Sequence, residues 1–324
     1  MRLILRLVLG VVVLAFIALA GLRGIAALRE TAVLAANIPT EGRRITTDAG
    51  VIYVEEAGPA SGLPILLVHG SVGWSRLWAD TMAGLAAQGY HAIALDLPPM
   101  GYSDRDPAGD YSRQTQAARI LALTRAMNIK PIIVAHSFGA GPAAEAALLQ
   151  PGAFAGLVLV DAAIGLGTDG TGKTLPLPLR PQVMREWLMA GTATNLWATR
   201  PLVGMFLYRK DALTDDQISI LQRPANLQGS TAALATWLPS LMLPPANALS
   251  TRAGSYAGFP LPTALIWGDR DTTTPLSQAE ALQQAIPGAT LAVLPDVGHI
   301  PQIEDPEAFR ATLIAALASI AAHQ

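Results

Sequence analysis

Short apolar runs and helix-spaced stretches take turns along most of the chain. VIYVEEAG (51–58) reads as a strand and PILLVHG (64–70) as a short buried one. WSRLWADTMAGLAAQ (74–88) has helical spacing and stops at Gly89. HAIALDLP (91–98) is again strand-like, and SRQTQAARILALTRAMN (112–128) is helical. PIIVAHS (131–137) predicts a strand, followed by a helix from Gly139 to Gln150 that Pro151 stops, and then by the strand AGLVLVDAA (155–163). Short continuous apolar strands joined by helices of ten or more residues predict parallel strands covered on both faces. The pattern is that of a doubly wound, mostly parallel α/β sheet.

The alternation breaks between Ile164 and Gly258. A proline-rich entry, KTLPLPLRPQ, leads into helical fragments that hold Trp187, Trp197, Trp237, Met184, Met189, Met205 and Met242. The pattern resumes with PTALIWGDRD (262–271), a helix near Pro275–Ile286, ATLAVLPDVGH (289–299) and a last helix from Asp305. An interruption between two strands of one sheet is an insertion rather than a tandem domain. The expected division is an amino-terminal segment 1–30, a linker 31–42, a core of 43–163 and 259–324, and a helical insertion 164–258.

The amino terminus, MRLILRLVLGVVVLAFIALAGLRG, has sixteen uncharged residues from Leu7 to Leu22 between Arg6 and Arg23. As a helix they reach about 24 Å, against a hydrocarbon core of roughly 30 Å. Snorkelling by the flanking arginines makes up the difference. The length of the run favours an uncleaved membrane anchor. Ala18-Leu19-Ala20 also fits the cleavage pattern of a signal peptide. Arg2 and Arg6 bias the start of the chain toward the cytoplasm, so either reading places the folded domain on the extracytoplasmic side.

Composition narrows the chemistry. The chain has 324 residues, 51% hydrophobic and 14% charged, which supports a sizeable core and excludes disorder. A net charge of −2 leaves no electrostatic footprint for nucleic acid. The absence of cysteine removes disulfides, thiolate metal sites and cysteine nucleophiles. His69 and His136 lack a third ligand at suitable spacing, so no metal site is expected, and each reads as a hydrogen-bonder at a strand end. His91 and His323 read as surface residues, and Asp96 and Asp104 of LDLPPMGYSD as organisers of a turn.

The candidate chemistry sits at strand ends. PIIVAHSFGAG carries Ser137 between a strand and a helix, the setting of a nucleophile elbow, G-x-S-x-G, with Ala135 in place of the first glycine. The helix that follows aims its positive end at the same place, where negative charge develops in acyl transfer. Asp271 follows the strand ALIWG, and His299 lies just past the last strand. Asp269 and Asp161 are the alternative acids. The chain order Ser137, Asp271, His299 is nucleophile, acid, base. LLVHGSVG (66–73) follows an early strand, where a backbone N–H can join that of Phe138 as an oxyanion hole.

VHGSVGWSRLW, LDLPPMGYSD, AHSFGA, LIWGDRDTTTP and GHIPQIEDPEAF together resemble the recurrent segments of the α/β-hydrolase superfamily, from about Arg43 to Ile320. The resemblance implies that Ser137 is the nucleophile, His299 the general base and acid, and Asp271 the orienting acid. It implies oxyanion donors at the N–H groups of Ser71 and Phe138, and a lid or cap at 164–258. No cofactor is implied. Serine at 137 rather than aspartate separates the chain from the haloalkane dehalogenase and epoxide hydrolase branches. The expected function is hydrolysis of carboxylic esters, with an apolar acyl preference suggested by the Trp- and Met-rich insertion. The same triad also serves C–C bond hydrolases and cofactor-free perhydrolases. A ligand-binding protein with little turnover is the rival from another class. The eight Lys and Arg of the insertion against five acids suit an anionic surface or an acidic substrate group. The residues do not decide an oligomeric state.

Overall fold

The computed structural model describes residues 2–71 and 73–322. Within the first helix, the side chains of 2–5, 7, 8, 11 and 12 lie outside the described set, and so do Val72 and His323. The chain opens with α1 (Arg2–Arg29), then β1 (Gly42–Thr47), β2 (Gly50–Ala57), β3 (Pro64–Val68), α2 (Ala79–Ala87), β4 (His91–Leu95), α3 (Arg113–Met127), β5 (Ile132–His136), α4 (Ala140–Leu149) and β6 (Gly156–Val160). Four helices follow: α5 (Gln182–Gly191), α6 (Thr199–Gly204), α7 (Asp215–Gln222) and α8 (Ser230–Met242). The chain then returns to the sheet with β7 (Thr263–Gly268), α9 (Leu276–Ala285), β8 (Thr290–Leu294), α10 (Pro301–Glu304) and α11 (Pro306–Ala321).

Among the described residues one sheet holds eight strands in the order β1-β2-β4-β3-β5-β6-β7-β8. From β4 to β8 every pairing is parallel, while β2 runs antiparallel to β4 and β1 antiparallel to β2. Side chains on successive strand residues point to opposite faces, and the core divides accordingly. Leu66, Val68, Ile133, Ala135, Leu157 and Leu159 face α3, α4 and α9. Ile65, Leu67, Ile132, Val134, Val158 and Val160 face α2 and α11. From β3 to β7 both faces are covered, so these strands carry apolar runs rather than alternation.

Two elements differ from expectation. The strand β1 has no apolar run to announce it, because only Ile45 of GRRITT is buried in this edge position. Its hairpin with β2 is fixed instead by register, with Ile45 opposite Ile52. His91, expected at the surface, has a side chain only 12% exposed, and its Nε2 lies 3.1 Å from Glu56 Oε1.

The expectation of a membrane anchor is corrected. Among the described residues, no helix is long and apolar enough to cross a membrane. The carboxyl-terminal half of α1 instead belongs to the folded body. Phe16 meets Trp187 edge-on at 5.8 Å between ring centroids, and Arg23 pairs with Glu186 of α5 at 3.0 Å. Ala26 is buried, and Leu19 and Leu22 lie over Gly191, where there is no Cβ to hold them off. The extracytoplasmic placement that rested on the anchor falls with it.

The inserted helices are fastened to the sheet layer at both ends. Arg113 of α3 donates from Nη1 to the Ile164 carbonyl at 2.7 Å and to Ser250 Oγ at 3.0 Å. Glu145 of α4 accepts from the backbone N–H groups of Leu249 and Ser250 at 3.0 and 2.8 Å. Where they meet the sheet layer, Met189, Leu234, Trp237 and Leu238 pack with Met100, Tyr111 and Phe138.

Past α1, buried Glu30 accepts from the Thr231 backbone N–H at 3.0 Å and from the Thr231 hydroxyl. Its removal leaves a buried N–H unpaired, which costs about 1–3 kcal/mol. Glu30→Ala should therefore lower the urea midpoint without changing the slope of the transition. An unchanged midpoint in equilibrium denaturation would contradict that accounting.

Candidate active site

Three strand ends converge on Ser137. At the end of β5 the backbone turns so tightly that Ser137 adopts φ +51°, the left-handed region that non-glycine residues rarely enter. A short turn, Ser137–Gly139, then leads into α4. The loop after β3 crosses directly over this turn. A Cβ on Gly139 would lie 2.3 Å from the His69 carbonyl oxygen, and one on Gly70 would lie 3.0 Å from Ser137 Cβ. Two bare backbones are needed here. The missing first glycine of the elbow is not among them, since Ala135 is an ordinary buried strand residue opposite Val68 and Leu159.

Ser137 Oγ lies 2.7 Å from His299 Nε2, and His299 Nδ1 lies 2.7 Å from Asp271 Oδ2. A carboxylate only accepts, so Nδ1 carries the imidazole proton and Nε2 is free to accept from the Ser137 hydroxyl. All three residues are buried, at 6%, 3% and 5% exposure in that order. Asp271 also accepts from the N–H groups of Thr273 and Thr274 at 2.7 and 3.0 Å and from the Thr274 hydroxyl at 2.5 Å. Desolvation pushes its carboxyl up, but the bonds from His299 and Thr274 outweigh this and hold it below the usual carboxylate value. Asp269 lies apart from the histidine and pairs with Arg270 at 3.7 Å.

Two of the remaining histidines act in the frame of the site. His136 donates from Nε2 to the His299 carbonyl at 2.7 Å, and burial followed by the nearby His299 holds its ring neutral, at about 3. His69 bonds the Gly70 carbonyl at 2.7 Å and accepts from the Leu97 N–H at 2.9 Å, with burial lowering it to about 4. Both are strand-end hydrogen-bonders, as their positions suggested. Asp96 likewise organises a turn, accepting from the N–H groups of Ser75 and Tyr102 at 2.6 Å each. Pattern reading missed Phe206 and Glu304. The Phe206 carbonyl accepts from the His299 N–H at 3.0 Å, and Glu304 accepts from Gly298 N–H at 3.0 Å and Tyr208 N–H at 2.8 Å. These bonds tie the histidine loop to the inserted helices. Glu304 stands in GHIPQIEDP, so its nearness in sequence to His299 was the available signal.

Asp161, Asp271 and His299 have ligand-type atoms within 4.8 Å of one another. Nδ1 and Oδ2 are at hydrogen-bond distance, however, which leaves no room for a cation between them. Above Ser137 opens a cavity of about 170 Å³. Its walls come from the loop after β3 (Gly70, Ser71, Gly73), from α6 (Thr199, Leu202, Val203), and from Met189, Trp237, Leu238 and Ile303. Of the insertion's seven Trp and Met residues named above, Met189 and Trp237 therefore reach the cavity, whereas Trp197 and Met205 are exposed.

The model of the alpha/beta hydrolase fold family matches residues 64–306, three quarters of the chain. The chain belongs to the α/β-hydrolase fold family. Among its relatives, 2-hydroxymuconate semialdehyde hydrolase of Pseudomonas putida is 29% identical over 275 residues, 84% of this chain and 92% of that protein. Lipase 3 of Moraxella sp. (strain TA144) is 26% identical over 272 residues, covering 82% of this chain and 80% of the relative. The solved meta-cleavage product hydrolase of Pseudomonas fluorescens IP01 superposes with a TM-score of 0.68 at 25% identity, covering 86% of this chain and 98% of that one. This α/β-hydrolase is an enzyme, and its reaction class is hydrolysis.

The two aspartates after β7 give a test of the acid. Asp271→Asn presents an amide N–H to the Nδ1 proton and should lower kcat by about 10⁴, as loss of the correct tautomer does in other triads. Asp269→Asn should leave kcat within a few-fold. Similar small losses in both variants, measured in steady-state hydrolysis, would move the acid away from Asp271.

Proposed function

We propose that the enzyme hydrolyses carboxylic esters of uncharged, apolar acyl groups through an acyl-enzyme on Ser137. His299 takes the hydroxyl proton as the Ser137 oxygen attacks the carbonyl, and the N–H groups of Ser71 and Phe138 hold the oxyanion. His299 then gives the proton to the departing alcohol, and Asp271 holds the imidazole in the tautomer that both steps require. A water activated by His299 releases the acid. No cofactor enters these steps. In this reading residues 43–163 and 259–324 form the hydrolase core, and 164–258 the cap that walls the substrate cavity.

One observation carries the choice of ester over C–C bond. None of the described residues lining the cavity is a lysine or an arginine. The meta-cleavage relatives act, by their names, on a muconate semialdehyde and on a phenylhexadienoate, both of which bear a carboxylate. Burying such a group in an apolar cavity without a paired cation costs several kcal/mol. None of the insertion's cations lines the cavity, and three of them are paired with acids elsewhere. Arg200 pairs with Asp215 at 2.5 Å, Arg209 with Asp305 at 2.8 Å and Arg223 with Glu41 at 3.0 Å. They therefore do not support an acidic substrate group, although the composition of the insertion allowed for one.

Ser137→Ala should lower ester hydrolysis by about 10⁴–10⁶ and abolish fluorophosphonate labelling, with the circular dichroism spectrum unchanged. An alanine variant that turned over p-nitrophenyl esters at the wild-type rate would sink the nucleophile assignment.

A second measurement tests the substrate class. Along an acyl series from acetyl upward, kcat/KM should rise by up to about fourfold per methylene while the chain is still being buried, about 0.8 kcal/mol each. A steady fall from acetyl to octanoyl, or faster turnover of a 2-hydroxy-6-oxo-dienoate than of any ester, would reject it.

A further inference from the structure

Behind the acid of the triad lies a second carboxyl that the steps above do not use. Asp161 follows β6, and its backbone φ of +41° is one of five left-handed non-glycine values among the described residues. The conformation, which aspartate tolerates better than most residues, is held by a bond from the Asp161 N–H to the Ile266 carbonyl at 3.1 Å. Its side chain is fully buried. Oδ1 accepts from the Gly268 N–H at 2.9 Å, and Oδ2 has no partner among the described hydrogen bonds. The nearest polar atoms of Asp271 and His299 lie within 4.8 Å.

Two carboxylates that close, both out of water, cannot both be charged. Asp271 is the better placed to keep its charge, because it accepts four hydrogen bonds, one of them from His299. Asp161 has a single donor. The groups facing Asp161 are Asp271 from the loop after β7, His299 from the loop after β8 and Glu304 of α10. Burial pushes the Asp161 carboxyl well above the usual range, and the negative charges of Asp271 and Glu304 push the same way.

We propose that Asp161 is a neutral positioning residue that donates its own proton from Oδ2 to the Asp271 carboxylate and thereby fixes the acid that orients His299. The bond gives the otherwise orphaned Oδ2 a partner. It also adds no second carboxylate charge directly behind Asp271. The inference rests on the Ser137–His299–Asp271 roles argued above but on no particular substrate.

The test therefore reads the nucleophile directly, through the pH dependence of fluorophosphonate labelling of the full chain. Asp161→Asn keeps the shape and a donor and removes only an ionisable proton. It should leave the acid-side midpoint of the labelling rate within about 0.2 unit of wild type and the rate within about threefold, because no charge is lost. Asp161→Ala, which removes the donor, should raise that midpoint by about half a unit or more as Asp271 becomes more basic. An infrared difference spectrum, wild type minus Asp161→Asn at neutral pH, should show the carbonyl stretch of one protonated carboxylic acid. If Asp161 is instead ionised, Asp161→Asn will lower the midpoint by about one unit or more, since a charge within 4.8 Å has been removed. That shift, or absence of the infrared band, overturns the proposal. Should Asp161→Asn fail to fold, Asp161→Ser supplies a shorter donor, and a wild-type midpoint there supports the proposal while a lowered one rejects it. Failure of wild type to label at all would reject the triad roles instead, and is thereby distinguishable.

Discussion

The site depends on a close crossing of two backbones that carry no side chains. Gly139 and Gly70 let the turn after β5 and the loop after β3 pass within contact of each other, with the His69 carbonyl where a Cβ of Gly139 would be. From this crossing the rest of the site follows. The turn can keep Ser137 in its strained conformation because helix α4 on one side and strand β5 on the other over-determine it. The same crossing brings Ser71 to the edge of the cavity beside Ser137. A sheet of parallel strands supplies the other half of the condition, since it delivers the loops after β5, β7 and β8 to one edge.

Much of this was legible in the residues. Continuous apolar strands report burial on both faces, and β3 to β7 were readable because helices cover both sides of the sheet there. The serine, acid and histidine could be placed because each directly follows such a strand. What escaped had a common cause. The strand β1 buries one side chain, so its existence depends on backbone pairing that leaves no apolar pattern. The tie of the histidine loop to the inserted helices, through the Phe206 carbonyl on His299 N–H and the Tyr208 N–H on Glu304, joins residues more than ninety positions apart, which spacing along the chain does not report. Asp161 was visible as a rival acid. Its closeness to Asp271, and hence its protonation, is a matter of three-dimensional distance that spacing cannot convey.

The amino-terminal helix shows the opposite error. An apolar stretch bounded by arginines looks the same whether it meets lipid or protein. Arg23 finds Glu186 and Phe16 finds Trp187, so the apolar face is in part the underside of a helix pair. Periodicity distinguishes a buried face from an exposed one, but not one kind of apolar neighbour from another.

The fastening of the inserted helices by Arg113 and Glu145 bears on how quickly the cavity can fill. With Ile164 held at one end and Leu249 and Ser250 at the other, the insertion cannot swing away from the sheet as a flap without breaking bonds to a half-buried arginine and a buried glutamate. Its middle is built differently. Neither α6 nor α7 contains a fully buried residue, and α6 supplies Thr199, Leu202 and Val203 to the cavity wall. Short helices with so little buried surface open locally at small cost, well below that of global unfolding. Any local give in the cavity wall therefore belongs to α6 and α7, which lack buried anchors, and not to the two fastened ends of the insertion.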